Sequence, residues 1–122
     1  MTKKEALQFP VSSLAYLGDS VLEVLVREKL VCDGEGNIHK RAAEYVTAVA
    51  QSAAVERLLP LFSEEENDVY RRGRNSTHTA PKSATHAQYS RATGLECVFG
   101  FLHLAEDTKR IRELFAAAYT DN

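Results

Sequence analysis

Apolar residues recur at helical spacing along most of the chain, and short polar breaks separate the apolar segments. Pro10 and the serine pair after it favour the start of a first helix, which we predict to run to about Val31. The expected core stripe of this helix is Leu14, Leu17, Val21 and Leu25. The polar, glycine-containing sequence Asp33-Gly34-Glu35-Gly36-Asn37 then ends the pattern.

The remaining segments also have helical spacing. Asn37 caps a predicted second helix that continues to Pro60, and its periodic apolar residues are Ile38, Ala42, Tyr45, Val46, Val49, Ala53 and Leu58. Ser63 and Glu66 have the spacing of a capping box, which predicts a short third helix that frays at Gly73. A loop is expected at 73–82, then a helix at about 83–105 and a last helix at about 108–119. No segment shows a convincing strand pattern, so we predict an all-α fold.

Length and composition fit one domain. The chain has 122 residues, of which 44% are hydrophobic and 26% charged, and can bury a core without disulfides. Cys32 and Cys97 lack the close spacing of a zinc or redox pair, so we interpret both as reduced, small hydrophobic residues. With no apolar run long enough to span a membrane and no secretory pattern at the start, we expect a soluble, cytoplasmic protein without a membrane partner.

Charge is distributed unevenly along the chain. The net charge of −2 by itself argues against nucleic-acid binding. Residues 71–95, however, contain five basic and no acidic side chains, which leaves ten basic and 17 acidic residues elsewhere. The sequence therefore predicts a basic segment on an acidic body.

Two carboxylates stand in unexpectedly apolar surroundings. Asp19 shares its helical stripe with Ala15, Leu22 and Val26, and Glu96 has a similar setting near the other end of the chain. Burial of a carboxylate without a partner is costly. We therefore expect both on buried sides of their helices, where a shared cation would stabilise them.

Small residues near Glu96 bear on this expectation. Ala92, Gly94 and Gly100 allow another helix to approach closely, as an encounter between Glu96 and Asp19 requires. Relief of core crowding explains the two glycines equally well.

Several segments resemble a known family. Leu14-Ala15-Tyr16-Leu17-Gly18-Asp19-Ser20-Val21-Leu22 resembles the signature helix of ribonuclease III, a double-stranded-RNA endonuclease. Three further groups follow in order: Arg72-Gly73-Arg74-Asn75, Pro81-Lys82, and Tyr89 with Ala92-Thr93-Gly94-Leu95-Glu96 and Gly100. Over nearly the whole chain these resemble Mini-ribonuclease III, the short bacterial branch of that family, which lacks a separate RNA-binding domain.

The resemblance implies the helical fold of the ribonuclease III catalytic domain, here as a single domain over 1–122, and a homodimer. It also implies Mg²⁺-dependent cleavage of double-stranded RNA to 5′-phosphate and 3′-hydroxyl ends, in maturation of the 23S ribosomal RNA precursor. A ribosomal protein that stimulates cleavage is a further candidate partner. By position, Asp19 and Glu96 match the family's catalytic, metal-binding carboxylates.

The chain departs from full-length ribonuclease III at other metal-site positions. Ser12 and Thr93 replace acidic residues, and Ala15 replaces a signature glutamate. Two carboxylates still suffice for Mg²⁺, which commonly takes one or two together with phosphate oxygens and water. Ser12, Thr93 and Glu23 are candidates for the layer around the ligands, although an ordinary surface ion pair explains Glu23 as well.

The basic segment is the predicted RNA contact. A-form RNA hides its base edges in a deep, narrow major groove, so recognition should rest on phosphates and 2′-hydroxyls. The candidate phosphate contacts are Arg72, Arg74, Asn75, His78 and Lys82. For Arg71 and Arg91, a solvated position or a local ion pair is favoured over an RNA contact.

Two alternatives remain open at this point. The reduced carboxylate set permits a catalytically silent module of the same fold that binds RNA or assists ribosome assembly. The second alternative is a helical interaction protein in which Asp19 and Glu96 are hydrogen-bonded core residues without a catalytic role. The family motifs, which occur in the expected order along the chain, argue against it.

Overall fold

The computed structural model describes residues 1–34, 36–76, 82 and 84–119, with the backbone alone at residue 39. These residues contain helices and no strand, which confirms the all-α prediction. The helices are α1 (Lys3–Ala6), α2 (Val11–Asp33), α3 (Ile38–Val46), α4 (Ala48–Leu58), α5 (Glu64–Asn75), α6 (His86–Leu104) and α7 (Thr108–Ala118). The candidate RNA contact His78 lies outside the described residues.

Helix α6 is the centre of the fold. It packs most extensively on α2, and also on α4 and α5. Its buried side chains, among them Leu95, Val98, Phe99 and Phe101, point in several directions around the helix, as is usual for a helix inside a protein. The apolar composition of its second half thus places α6 in the interior.

The core line of α2 differs from the expected stripe. Leu14 and Leu25 are buried as predicted, but Leu17 and Val21 are only half-buried. Gly18 is buried instead, because α6 lies directly against it. The helical period predicted the helix and two of its buried residues correctly, but it did not predict the line of α2 on which α6 packs.

Helix starts follow local capping. The predicted box is present at α5, where the Glu66 backbone N–H donates to Ser63 Oγ at 3.1 Å and the Ser63 backbone N–H donates to Glu66 Oε1 at 2.8 Å. A second box, formed by Thr85 and Gln88, starts α6 at His86, a few residues later than predicted. The short helix α1, which we did not predict, has a box of the same kind.

The prediction of a single second helix was wrong, because Thr47 divides this segment into α3 and α4. Thr47 is extended, with φ −71° and ψ 155°, and its hydroxyl accepts a hydrogen bond from the Ala50 N–H at 3.2 Å. The threonine thus ends α3 and caps α4, a local alternative to helix continuation. Ile38, Val46 and Val49, which the continuous period would bury, are exposed.

Other predictions about the body of the protein had mixed outcomes. Cys97 is a buried free thiol, whereas Cys32 is exposed and does not act as a core residue. Among the described residues, no helix is long and apolar enough to cross a membrane.

Candidate catalytic and metal-binding site

Two glycines allow α2 and α6 to touch backbone to backbone. A Cβ atom at Gly18 would overlap the carbonyl group of Glu96 and lie 2.9 Å from the Gly100 nitrogen. A Cβ atom at Gly100 would overlap the Leu14 carbonyl and lie 3.1 Å from the Gly18 nitrogen. Because these obstacles are backbone atoms, only glycine fits at either position without a shift of a helix. The contact lies beside Asp19 and Glu96.

The two carboxyl groups interact across this contact. The pKa of Glu96 is raised from 4.5 to about 8, first because burial removes water and then because the negative charge of Asp19 is close. A hydrogen bond with Asp19 adds to the shift, since it favours the protonated form of Glu96. Carboxyl groups from two helices, far apart in sequence, therefore lie within reach of one another.

Asp19 itself is exposed, which corrects the prediction that it lies on a buried side. It follows the buried Gly18 by one residue, and one residue corresponds to about 100° of rotation around a helix. Its carboxylate consequently lies at the rim of the α2–α6 contact, while Glu96 is half-buried behind it. A phosphate group in solution can reach such a rim.

The pair suits a divalent cation. Within the described part of the chain, neither carboxylate forms a salt bridge with a basic side chain. Two like charges this close destabilise each other unless one is protonated or a cation lies between them. The described residues contain no cluster of three or more metal-ligating side chains. The donor set of two carboxylates matches Mg²⁺, which completes its coordination with water and substrate oxygens.

The three candidates for the surrounding layer differ in their environment. Thr93, one turn before Glu96, is half-buried and its hydroxyl donates to the Tyr89 carbonyl at 3.0 Å. Ser12 is exposed in the first turn of α2. Glu23 is paired with Arg27 at 2.6 Å on an exposed face, in accord with the surface ion pair left open above.

The basic candidates also separate. Arg72 is half-buried and donates to the carbonyls of Leu7 at 3.2 Å and Phe9 at 3.3 Å, so its guanidinium ties α5 to the segment before α2. Arg74 is exposed beside the Tyr70 ring, at 5.7 Å from the ring centroid. The other described candidates, Asn75 and Lys82, are exposed.

The two arginines set aside earlier have different surroundings. Arg91 pairs with Glu56 of α4 at 3.0 Å, so an ion pair, one of the alternatives left open for it, is present. Arg71 is exposed on α5.

Sequence reasoning missed Gly18, and of the two glycines whose role it left open, only Gly100 lies at the contact between α2 and α6. A Cβ atom at Gly94 would lie 2.6 Å from a ring carbon of Tyr70, so this glycine accommodates α5 rather than α2. The signal for Gly18 was present, because a glycine inside a helix costs about 1 kcal/mol relative to alanine. A glycine in an otherwise good helix therefore indicates a close contact.

Several known proteins are similar to this chain in sequence or in fold. Residues 12–107 match the model of the Ribonuclease III domain family. Mini-ribonuclease 3 of Symbiobacterium thermophilum is 45% identical over 116 residues, which cover 92% of this chain and 89% of that protein. Mini-ribonuclease 3 of Thermoanaerobacter sp. is 37% identical over 93% of this chain and 83% of that protein. A crystal structure of a Fusobacterium nucleatum protein has a TM-score of 0.86 at 26% identity and covers 93% of this chain and 96% of that one.

The helical fold and the matched domain define an endoribonuclease of the ribonuclease III type, a class that acts on double-stranded RNA and generally needs a divalent metal ion. The similarity to the named relatives extends over most of both chains. The chain belongs to the Mini-ribonuclease 3 family.

Proposed function

We propose that this endoribonuclease cleaves double-stranded RNA in a Mg²⁺-dependent reaction at Asp19 and Glu96. The observation that carries the proposal is the approach of these two carboxyl groups, from α2 and α6, at a solvent-facing rim. When bound there, Mg²⁺ supplies activation of water and stabilisation of negative charge at the phosphodiester. The expected products carry 5′-phosphate and 3′-hydroxyl ends.

The protein's own residues have separate tasks in this proposal. Asp19 and Glu96 would hold the cation together, with the exposed Asp19 accessible to substrate and Glu96 half-buried. The hydroxyl hydrogen of Thr93 is already donated to Tyr89, so its oxygen is left to accept a hydrogen bond from water near the site. Ser12 is accessible for a similar role, and Glu23 pairs with Arg27 through Oε1, so its second carboxylate oxygen can still accept a hydrogen bond.

Basic residues of the same domain are the proposed RNA contacts. We propose that residues 1–122 act as one catalytic domain and that Arg74, Asn75 and Lys82, with His78, contact phosphates of the duplex. Two observations support this proposal: Arg74, Asn75 and Lys82 are exposed, and residues 71–95 carry an excess of positive charge. Arg72 contributes to the same surface chiefly by fixing the segment before α2.

A homodimer would give two centres, one for each strand of a duplex. Exposed apolar residues on α2 support this proposal, since Tyr16 is 84% exposed and Val24 63% exposed. Val24 also lines a groove of about 350 Å³ between α2 and α7. Sedimentation should show a dimer, and Tyr16→Asp should shift it toward monomer.

The natural substrate we propose is the 23S ribosomal RNA precursor, in the cytoplasm, with a ribosomal protein as a candidate stimulator of cleavage. This part of the proposal rests on the resemblance to the family. Purified enzyme should cut precursor stems at defined positions, faster when the stimulating ribosomal protein is present.

Duplex cleavage tests the proposed function. A defined RNA duplex with Mg²⁺ is incubated with wild-type protein, with Asp19→Asn, and with Glu28→Gln as a matched control. Glu28 is also an exposed carboxylate of α2, but pairs with Arg112 at 2.9 Å. We expect cleavage by wild type and Glu28→Gln only, while all three bind the duplex. Binding without cleavage by all three, even with precursor stems, would instead favour the catalytically silent module.

A further inference from the structure

The close contact between α2 and α6 lies directly beside the two carboxylates. Gly18 immediately precedes Asp19, and the carbonyl group against which Gly18 packs belongs to Glu96 itself. Packed helices usually lie about 8–10 Å apart, depending on the side chains between them. Where two backbones already touch, a single added methyl group must move the helices apart.

A shared cation makes this distance critical. Mg²⁺ holds its ligand oxygens at about 2.0–2.1 Å in a near-octahedral arrangement. Two short side chains on different helices meet this requirement together only within a narrow range of helix separation.

We propose that Gly18 and Gly100 are positioning residues, which set the distance between Asp19 and Glu96 so that both carboxylates bind one divalent cation. This inference rests on the proposed function, because it takes Asp19 and Glu96 as the metal ligands. Neither glycine touches the cation. Each acts through the helix contact alone.

Gly94 provides a matched control on the same helix. Like Gly100, it gains a Cβ atom that must displace a neighbour, but this neighbour is Tyr70 of α5. Gly94→Ala and Gly100→Ala therefore share the change in helix propensity and a packing conflict. They differ in which helix is displaced.

The test measures Mn²⁺ binding without RNA, by electron paramagnetic resonance of the free ion. Gly100→Ala should weaken Mn²⁺ binding by about 10- to 100-fold, the usual effect of losing a residue that supports metal ligands. Gly94→Ala should bind Mn²⁺ with wild-type affinity, even if its unfolding midpoint falls as much as that of Gly100→Ala. Wild-type affinity in folded Gly100→Ala, or an equal loss in Gly94→Ala, overturns the inference.

Asp19→Glu tests the same distance without disturbing the helix contact, because Asp19 is exposed. The added methylene keeps the charge but changes the reach, so a fixed helix separation predicts weaker Mn²⁺ binding. Unchanged affinity overturns the inference even if Gly100→Ala does not fold. Asp19→Asn separates the two levels: if it leaves Mn²⁺ binding unchanged, the proposed metal site itself fails.

Discussion

Replacement of Glu96 by glutamine should abolish RNA cleavage and yet stabilise the metal-free fold. The half-buried carboxyl group of Glu96 has lost hydration and faces the charge of Asp19. Glutamine has nearly the same shape, carries no charge and can donate a hydrogen bond to Asp19. The variant therefore removes the electrostatic penalty that burial and the charge of Asp19 impose on Glu96 in the metal-free protein.

The pKa of Glu96 gives the size of the effect. It is about 8 in the fold, against an ordinary value of 4.5. At 1.36 kcal/mol for each pKa unit, the full penalty is about 5 kcal/mol above pH 8 and about 3 kcal/mol at pH 7. The folded state binds the proton more tightly than the unfolded state, so metal-free wild type loses stability as pH rises from about 4.5 to 8.

Urea unfolding in EDTA, at several pH values, measures this difference. Glu96→Gln should be more stable than wild type by about 3 kcal/mol at pH 7 and nearly equal to it at pH 4. Asp19→Asn should gain less, because the burial of Glu96 remains. Saturating Mg²⁺ should favour wild type and narrow the gap. If Glu96→Gln is less stable than wild type at pH 7 without metal, the charge of Glu96 does not destabilise the metal-free fold and the reasoning is refuted.

Three further predictions concern the frame and the RNA surface. Arg110→Met should cost about 3–5 kcal/mol in urea unfolding at pH 7, because it leaves buried Glu66 without its partner at 2.8 Å. Burial alone would raise the pKa of Glu66, but hydrogen bonds lower it overall, so the part of this loss that comes from the ion pair should shrink as pH falls below about 4.5. The hydrogen bond from Arg110 to the Leu61 carbonyl is lost at every pH. A loss that does not change with pH would contradict the ion-pair contribution. Thr47→Ala should lower stability by about 1 kcal/mol and Thr47→Ser should not, and equal melting of both would exclude the cap. Lys82→Ala should reduce the salt slope of RNA binding by about 1 without changing the unfolding midpoint, whereas Arg72→Ala should also lower that midpoint.

The sequence predicted most of the helices and the closeness of Asp19 to Glu96, because local or single-residue signals indicate both. Capping residues such as Ser63 are recognisable by spacing, and Asp19 stands out within an apolar run. The break at Thr47 was hidden, since the apolar period continues through it. A single hydroxyl that caps α4 decides the geometry there, and periodicity does not report it.

Tertiary contacts decided the remaining features. The exposure of Asp19 depends on which line of α2 faces α6, and this line passes through Gly18. The hydrogen bonds of Arg72 depend on carbonyl groups more than 60 residues away in sequence. Patterns within one helix do not contain that information.

Anomalous diffraction from crystals grown with Mn²⁺ tests the central claim most directly. Mn²⁺ accepts the same oxygen ligands as Mg²⁺ and can be located by its anomalous signal. We predict a peak between the carboxyl groups of Asp19 and Glu96, and its loss in Asp19→Asn crystals. A peak elsewhere with none at this pair, or one that persists in Asp19→Asn, would contradict the shared cation site.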